Sequence, residues 1–322
     1  MYRRRRTMVW LMVAMAVGLT CVSCRQSDGP QQLVIFHAGS LAGPMRDLAT
    51  LFEERNPGVR VLRESSGSRL AARKITQLGR RADVLAMADN QVLADLVIPD
   101  HARWSVCFGR NRMVIAFTER SSRAAEFNAE NWYEILLSPE VRYGHSDPDL
   151  DPCGYRTLLL WQLAEAHYGV FGLYDGLRAG CPSGHIRPCG SELLPLLESL
   201  DLDYIFVYES VARQHHLRYL PLPQEIDLGS PELASVYKKA SVLVSGKTPQ
   251  DTITMVGQPI VYAATIPLVA EQPALAAAFL ELLVSEAGQR ILERNFQTAI
   301  VPATTNSLAR IPDNLRGLVS ER

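Results

Sequence analysis

An apolar run, Leu33-Val34-Ile35-Phe36, stops at His37-Ala38-Gly39-Ser40-Leu41, and Met45, Leu48, Ala49, Leu51 and Phe52 then recur at helical spacing. The changeover is repeated. Residues 59–64 alternate apolar and polar, Ser65-Ser66-Gly67-Ser68 follows, and a helix-like run extends over 70–78 with Gly79 as its stop. A third apolar run at 82–88 leads into a helical segment at 90–97. Strand and helix in this alternation leave few folds open. The pattern predicts α/β architecture, with a mainly parallel sheet flanked by helices on both faces. Ligands of such sheets sit beyond the carboxyl ends of the strands, where both serine loops fall. A helix N-terminus offers free N–H groups and the positive end of a dipole, so each loop is a candidate anion site. Ser40 is well placed as the N-cap of the first helix, and an ordinary cap is the plain alternative for either loop.

Further strands are expected at 106–108, 113–117, 142–145, 203–208, 217–222, 237–244 and 258–266, with helices at 131–137, 155–168, 191–200, 273–284 and 287–296. Two sheets in succession, closed by C-terminal helices, suggest two lobes. The expected division is 33–116 with 255–322 as lobe one and 117–254 as lobe two. The chain would cross near Ala116-Phe117-Thr118 and again at 251–255. A formal net charge of −1 with 21% charged residues excludes a generally basic, nucleic-acid-binding surface, so an anion would be held by local dipoles.

Arg3 to Arg6 form a basic block before an apolar stretch at 8–22, the pattern of a secretory leader over 1–24. The stretch ends Cys21-Val22-Ser23-Cys24. A small residue before cysteine favours Cys24 as the acceptor of a lipid anchor, with simple cleavage as the alternative. Residues 25–32 are polar and read as a tether. Export permits disulfides, and Cys181 and Cys189 bracket a short loop that a bond between them would close. Cys107 and Cys153 complete the set after the leader. No Cys-x-x-Cys pair occurs, and no structural metal is expected.

The ordered series Ala38-Gly39-Ser40-Leu41, Pro57-Gly58-Val59, Arg73-Lys74-Ile75-Thr76-Gln77-Leu78-Gly79, Ala82-Asp83-Val84-Leu85-Ala86, Asn131-Trp132-Tyr133-Glu134-Ile135-Leu136, Asp151-Pro152-Cys153-Gly154-Tyr155-Arg156 and Ser210-Val211-Ala212 spans nearly all of the chain beyond the leader. It resembles the substrate-binding proteins of tungstate/molybdate ABC transporters, in particular their archaeal-type branch. The resemblance implies a two-lobed periplasmic-binding fold that closes on one oxyanion and delivers it to a membrane permease, with no catalysis and no cofactor besides the ligand. It further implies an exported monomer, with membrane contact only through the Cys24 anchor. Its pocket residues map onto Gly39, Ser40, Ser68, Asp151, Pro152, Cys153 and Tyr208. Asp151 is the carboxylate that would reach the metal centre of the oxyanion. A second carboxylate position falls near Gly190, with Glu192 the nearest acid.

Molybdate and tungstate are tetrahedral dianions with acceptor oxygens only, so a buried site must supply donors. A carboxylate repels such a dianion unless its oxygen bonds the metal, which sulfur in sulfate does not permit. Asp151 would thereby discriminate against sulfate. The residues alone leave plainer readings open: Asp151 as N-cap of the following helix with Pro152 at N1, Tyr208 as a core tyrosine, and Glu192 as a first-turn acid. Arg73 and Lys74 read as a solvated helix face, and Asp83 and Asp89 as a turn partner and an N-cap. Alternatives for the whole chain are a receptor for sulfate, phosphate or another small anion, and an exported hydrolase with Ser40 or Ser68 as nucleophile and His37 or His145 as base. Neither serine has the Gly-x-Ser-x-Gly surroundings of a nucleophile elbow.

Overall fold

A computed structural model describes residues 29–248 and 250–322. The leader and Cys24 lie outside these residues. Gln31–Arg322 forms one compact unit built on two large sheets and a two-stranded one. Among the described residues, no helix is long and apolar enough to cross a membrane.

Strands β1 (Gln31–Ala38), β2 (Val59–Ser66), β3 (Val84–Met87) and β4 (Val106–Arg110) belong to the first sheet. Strands β5 (Met113–Phe117), β6 (Tyr143–Ser146), β7 (Ile186–Arg187), β8 (Tyr204–Tyr208) and β9 (Arg218–Pro221) build the second, in the order β7-β6-β8-β5-β9. Strands β10 (Ser241–Ser245) and β11 (Thr252–Val256) pair as a hairpin. Strands β12 (Val261–Thr265), β13 (Thr298–Thr305) and β14 (Val319–Glu321) return to the first sheet, whose order is β14-β13-β4-β12-β3-β1-β2.

The strands that carry the candidate loops are parallel in both sheets: β2, β1 and β3 in one, β7, β6 and β8 in the other. Antiparallel pairing enters where the chain passes between lobes, at β12 against β3 and β4 and at β5 against β8 and β9. The first crossing lies at Asn111-Arg112, upstream of the expected Ala116–Thr118 region. The fully buried run Met113–Phe117 is flanked by β8 and β9 of the second sheet, which places it in lobe two. The return lies at 257–260 rather than 251–255, because Thr252–Val256 is occupied in pairing with β10. The segment expected as one strand at 237–244 divides into the end of a helix, Ala234–Tyr237, and β10.

The helix Pro152–Tyr168 is the centre of the second lobe. Asp151 caps it, Pro152 supplies a pre-set first turn, and Gly169 ends it at φ 68°. Leu159, Leu160, Trp161, Leu163 and Ala164 are buried along it, as expected of a helix covered on most sides. Gln162 reaches from it to both the N–H and the C=O of Ser241, fastening the β10–β11 hairpin to this lobe.

Candidate functional site

Register alone brings the first two loops together. In the β1–β2 pair His37 lies opposite Ser65 and Ala38 opposite Ser66, so Gly39-Ser40-Leu41 and Gly67-Ser68 leave neighbouring strands side by side. In the β1–β3 pair His37 lies opposite Ala86, which sets Ala88 and Asp89 next to them.

Neither serine caps its helix. Gly39–Leu41 tightens into a 3₁₀ turn before the helix Ala42–Arg55, which leaves Ser40 inside the turn. Its oxygen instead accepts the Tyr262 hydroxyl at 2.8 Å, and Tyr262 in turn accepts from Asn111 Nδ2 at 3.0 Å. Ser68 stands one residue inside the helix Ser68–Thr76, whose cap position is Gly67. Its oxygen accepts the Ala88 N–H at 3.0 Å. Tyr208, at the end of β8, accepts from Arg156 Nη1 at 2.7 Å. All three residues are buried.

The second lobe closes onto these loops. The N–H groups of Arg69 and Leu70 both donate to Leu150 O at 3.1 Å. A Cβ on Gly67 would collide with that carbonyl and approach Asp151 Cβ to 3.0 Å, so the close approach requires glycine here. A Cβ on Gly39 would come within 3.0 Å of Ser191 Oγ. Arg73 is not on a solvated face: it donates to Asp149 O at 2.6 Å and to Ser245 Oγ at 2.5 Å. Buried Arg69 joins it by donating to Asp149 O and Ser245 O. Lys74 instead pairs with Glu64 on its own lobe at 2.9 Å.

Asp151 has the cap geometry, with Oδ1 accepting the Cys153 N–H at 3.4 Å and Oδ2 accepting the Gly190 N–H at 2.9 Å. Burial pushes its carboxyl up to about 6, against the opposing influence of Gly190, Ser146, Cys153 and Arg156. Gly190 therefore contributes a backbone donor to this cluster. Glu192 does not bring a second carboxylate to it: the residue is exposed, and its Oε1 takes the Cys189 thiol at 3.4 Å.

The bond that Cys181 and Cys189 could have formed is absent. All four cysteines among the described residues are free thiols. The chain between them forms β7 alongside β6, and the two sulfurs face different partners. Cys181 donates to Tyr143 O at 3.5 Å, while Cys189 lies 3.0 Å from Ser191 Oγ. Cys153 is buried under Phe206 O, with its thiol pushed upward by burial and by the Asp151 charge.

His37 and His145 hold equivalent places in the two lobes. Each is the second-last residue of its strand, and each donates Nδ1–H to the carbonyl that follows, at 2.9 and 2.7 Å. Burial lowers both to about 4, so both are neutral rings with Nδ1 engaged with backbone, while the Ser40 and Ser68 oxygens accept from Tyr262 and Ala88. Asp83 is the turn partner expected, accepting Val34 N–H at 2.8 Å and the N–H groups of Glu271 and Gln272. Asp89 is the expected cap, accepting Gln91 N–H at 2.8 Å, and also meets Arg156.

Sequence reasoning missed Tyr262, Asn111, Ser146 and Ser191. Ser146 had a signal: it ends β6 one residue after His145, as Ala38 follows His37. Its hydroxyl lies close enough to Asp151 and Cys153 to lower both, yet makes no hydrogen bond of good geometry. Outward from the loops runs a groove of about 760 Å³, lined by Gly39 and Ser191 and by Arg46, Arg63, Arg294, His215 and His216, with Glu198 as an opposing acid.

The profile of a family described as bacterial extracellular solute-binding proteins matches residues 33–296. An uncharacterized solute-binding protein of Petrotoga mobilis is 46% identical over 285 residues, covering 88% of this chain and 89% of that protein. The molybdate/tungstate-binding protein WtpA of Pyrococcus abyssi is 39% identical over 330 residues, 94% of each chain. Among solved structures, the periplasmic molybdate-binding protein of Azotobacter vinelandii is similar with a TM-score of 0.58 at 17% identity, over 84% of this chain and 99% of that one. The sulfate-binding protein SubI of Mycobacterium tuberculosis gives 0.60 at 13% identity, over 90% and 94%. The likeness to these structures is one of fold, the two-lobed substrate-binding architecture seen here. By the extent of the family match and the identity to these relatives, the chain belongs to the bacterial extracellular solute-binding proteins.

Proposed function

We propose that the protein captures molybdate or tungstate between its lobes and delivers it to an ABC transporter permease. The observation that carries this reading is the state of three hydroxyls. Ser40, Ser68 and Tyr208 each have an acceptor position filled by a protein donor: the Tyr262 O–H, the Ala88 N–H and the Arg156 guanidinium. Each hydroxyl proton is thereby left to point elsewhere, which suits a ligand with acceptor oxygens only. Two relatives named molybdate/tungstate-binding proteins, at 39% and 36% identity over most of the chain, support the choice of oxyanion. The protein works as an exported monomer, held to the membrane through a lipid on Cys24.

Asp151 is the group that distinguishes the metal oxyanions from sulfate. Above pH 6 it is charged. Beside a dianion that charge is repulsive unless a carboxylate oxygen bonds the metal centre. Its cap geometry supports a second reading, a tetrahedral site in which Asp151 only organises the Cys153 and Gly190 N–H groups and which accepts sulfate or phosphate as well.

Calorimetric titration of the ligand-stripped chain with tungstate, molybdate and sulfate tests both. Binding of the first two without sulfate is expected. Preference for sulfate favours the second reading, and silence with all three removes the oxyanion assignment.

A further inference from the structure

One guanidinium connects donors that belong to different lobes. Arg156, on the Pro152–Tyr168 helix of lobe two, donates through Nη1 to Tyr208 Oη at 2.7 Å and to Ala88 O at 2.8 Å. Ala88 lies at the end of β3 in lobe one, and its own N–H is the donor that fixes Ser68. The other arm of the guanidinium, Nη2, stands 2.8 Å from Asp89 Oδ2, also in lobe one, as an ion pair without hydrogen-bond geometry. Tyr155, beside Arg156 on the helix, donates its hydroxyl to the same oxygen. Both charged side chains are 1% exposed.

A charge pair this deeply buried is an expensive contact. Removing two charges from water is costly, and the cost is recovered only through close pairing and the hydrogen bonds made alongside it. With the lobes apart, Asp89 and Arg156 belong to different bodies and water can solvate each. Closure is thus tolerated only when Arg156 meets Asp89, Ala88 and Tyr208 together. Asp89 cancels the Arg156 charge, so the pair adds no net attraction for a dianion. Its action on the site is geometric.

We propose that Arg156 is a positioning residue that couples lobe closure to assembly of the oxyanion donors, aligning Tyr208 on one lobe and, through the backbone of Ala88, Ser68 on the other. This rests on the oxyanion reading above. Burial draws the guanidinium pKa down, but Asp89 and Tyr208 outweigh it, so Arg156 stays charged throughout. The requirement is for the planar fork rather than for charge alone. A lysine at 156 keeps the charge but cannot bond Ala88 O and Tyr208 Oη from one rigid plane while facing Asp89.

The test compares wild type, Arg156→Lys and Asp89→Asn. Asparagine at 89 keeps the cap on Gln91 while removing the charge. Three quantities are read: tungstate affinity by calorimetry, the radius of gyration by X-ray scattering with and without tungstate, and the ligand-free Tm. For wild type, binding with compaction is expected. For both variants the ligand-free Tm should lie near that of wild type, while affinity falls at least about tenfold and compaction is reduced or lost, as when a charge-assisted contact is removed. If wild type binds and compacts but Arg156→Lys does so within twofold, the coupling role is refuted and the oxyanion reading stands. A large drop in the ligand-free Tm of both variants assigns the pair to folding and also refutes it. If wild type itself binds no oxyanion, both the reading and the coupling built on it fall.

Discussion

Asp151 Oδ2 accepts the Gly190 N–H at 2.9 Å, so a carboxylate at the head of one helix is held by the first residue of the 3₁₀ turn Gly190–Leu193. Burial outweighs that donor and leaves the carboxyl with a pKa of about 6. An unfolded aspartate titrates near 3.9. Between those values the folded state holds a proton that the unfolded state has lost. The group therefore destabilises the fold in full above pH 6, and the penalty disappears as pH falls toward 4. Relative to wild type, Asp151→Asn is expected to gain about 2–3 kcal/mol in ligand-free stability between pH 4 and pH 7. Paired denaturant titrations at the two pH values measure this. An unchanged difference would show that Asp151 carries no such shift.

Asp151→Ala should separate the ligands. Tungstate affinity is expected to fall at least about tenfold, and sulfate affinity to hold or rise, because loss of a buried charge relieves repulsion worth a kcal/mol or more. Parallel titrations check it. Equal losses for both anions would assign Asp151 to loop organisation.

Ser40→Ala and Ser68→Ala each delete one donor to the ligand. Ser40→Ala also strands the buried Tyr262 hydroxyl, and Ser68→Ala the Ala88 N–H. Each is expected to weaken oxyanion binding by about 1.5–3 kcal/mol, the scale of a hydrogen bond to a charged group. Calorimetry reads the loss. A variant that binds like wild type removes that serine from the site.

Arg73 holds Asp149 and Ser245 across the cleft, and it is partly exposed. Arg73→Ala should speed ligand release about five- to tenfold, consistent with loss of roughly 1 kcal/mol or more of closed-state contacts, and leave capture nearly unchanged. Stopped-flow measurement of both rates decides it. A change in the capture rate alone contradicts a role in holding the lobes closed.

The groove beside Gly39 gathers Arg46, Arg63 and Arg294 on a chain whose overall charge is −1. Such a local field acts on encounter more than on residence. Arg63→Glu and Arg294→Glu are expected to lower the association rate about threefold each at low salt, with the difference fading as salt rises. A salt series of association rates tests this, and salt-independent rates would contradict steering.

Most of the fold was legible because short apolar or alternating runs give way to helical spacing three times between residues 33 and 97. The lobe boundary was not. Met113–Phe117 is buried throughout, and a uniformly apolar strand carries no mark of which sheet receives it. The C-terminal β13 escaped notice because its burial pattern lacks regular alternation and includes Pro302. At the candidate site, glycine and serine loops marked where to look, but the roles expected within them shifted. A 3₁₀ turn displaced Ser40 from its cap, and Tyr262 reaches it from 222 residues away. Arg73 looked like surface because its partners lie 76 and 172 residues off. The cysteine spacing suggested a bond because spacing gives separation along the chain, whereas a disulfide depends on where the sulfurs point.

The contacts that Arg69, Arg73 and Gln77 make across the cleft end largely on main-chain oxygens, those of Asp149, Ser245, Gly246 and Lys247. A carbonyl is present whatever side chain its residue carries. Lobe two can therefore change its surface identity at these positions over many generations and still be gripped, provided the backbone path is kept. Selection on this part of the closure falls mainly on lobe one, with the Ser245 hydroxyl and the Lys247 ammonium as the side-chain exceptions on lobe two.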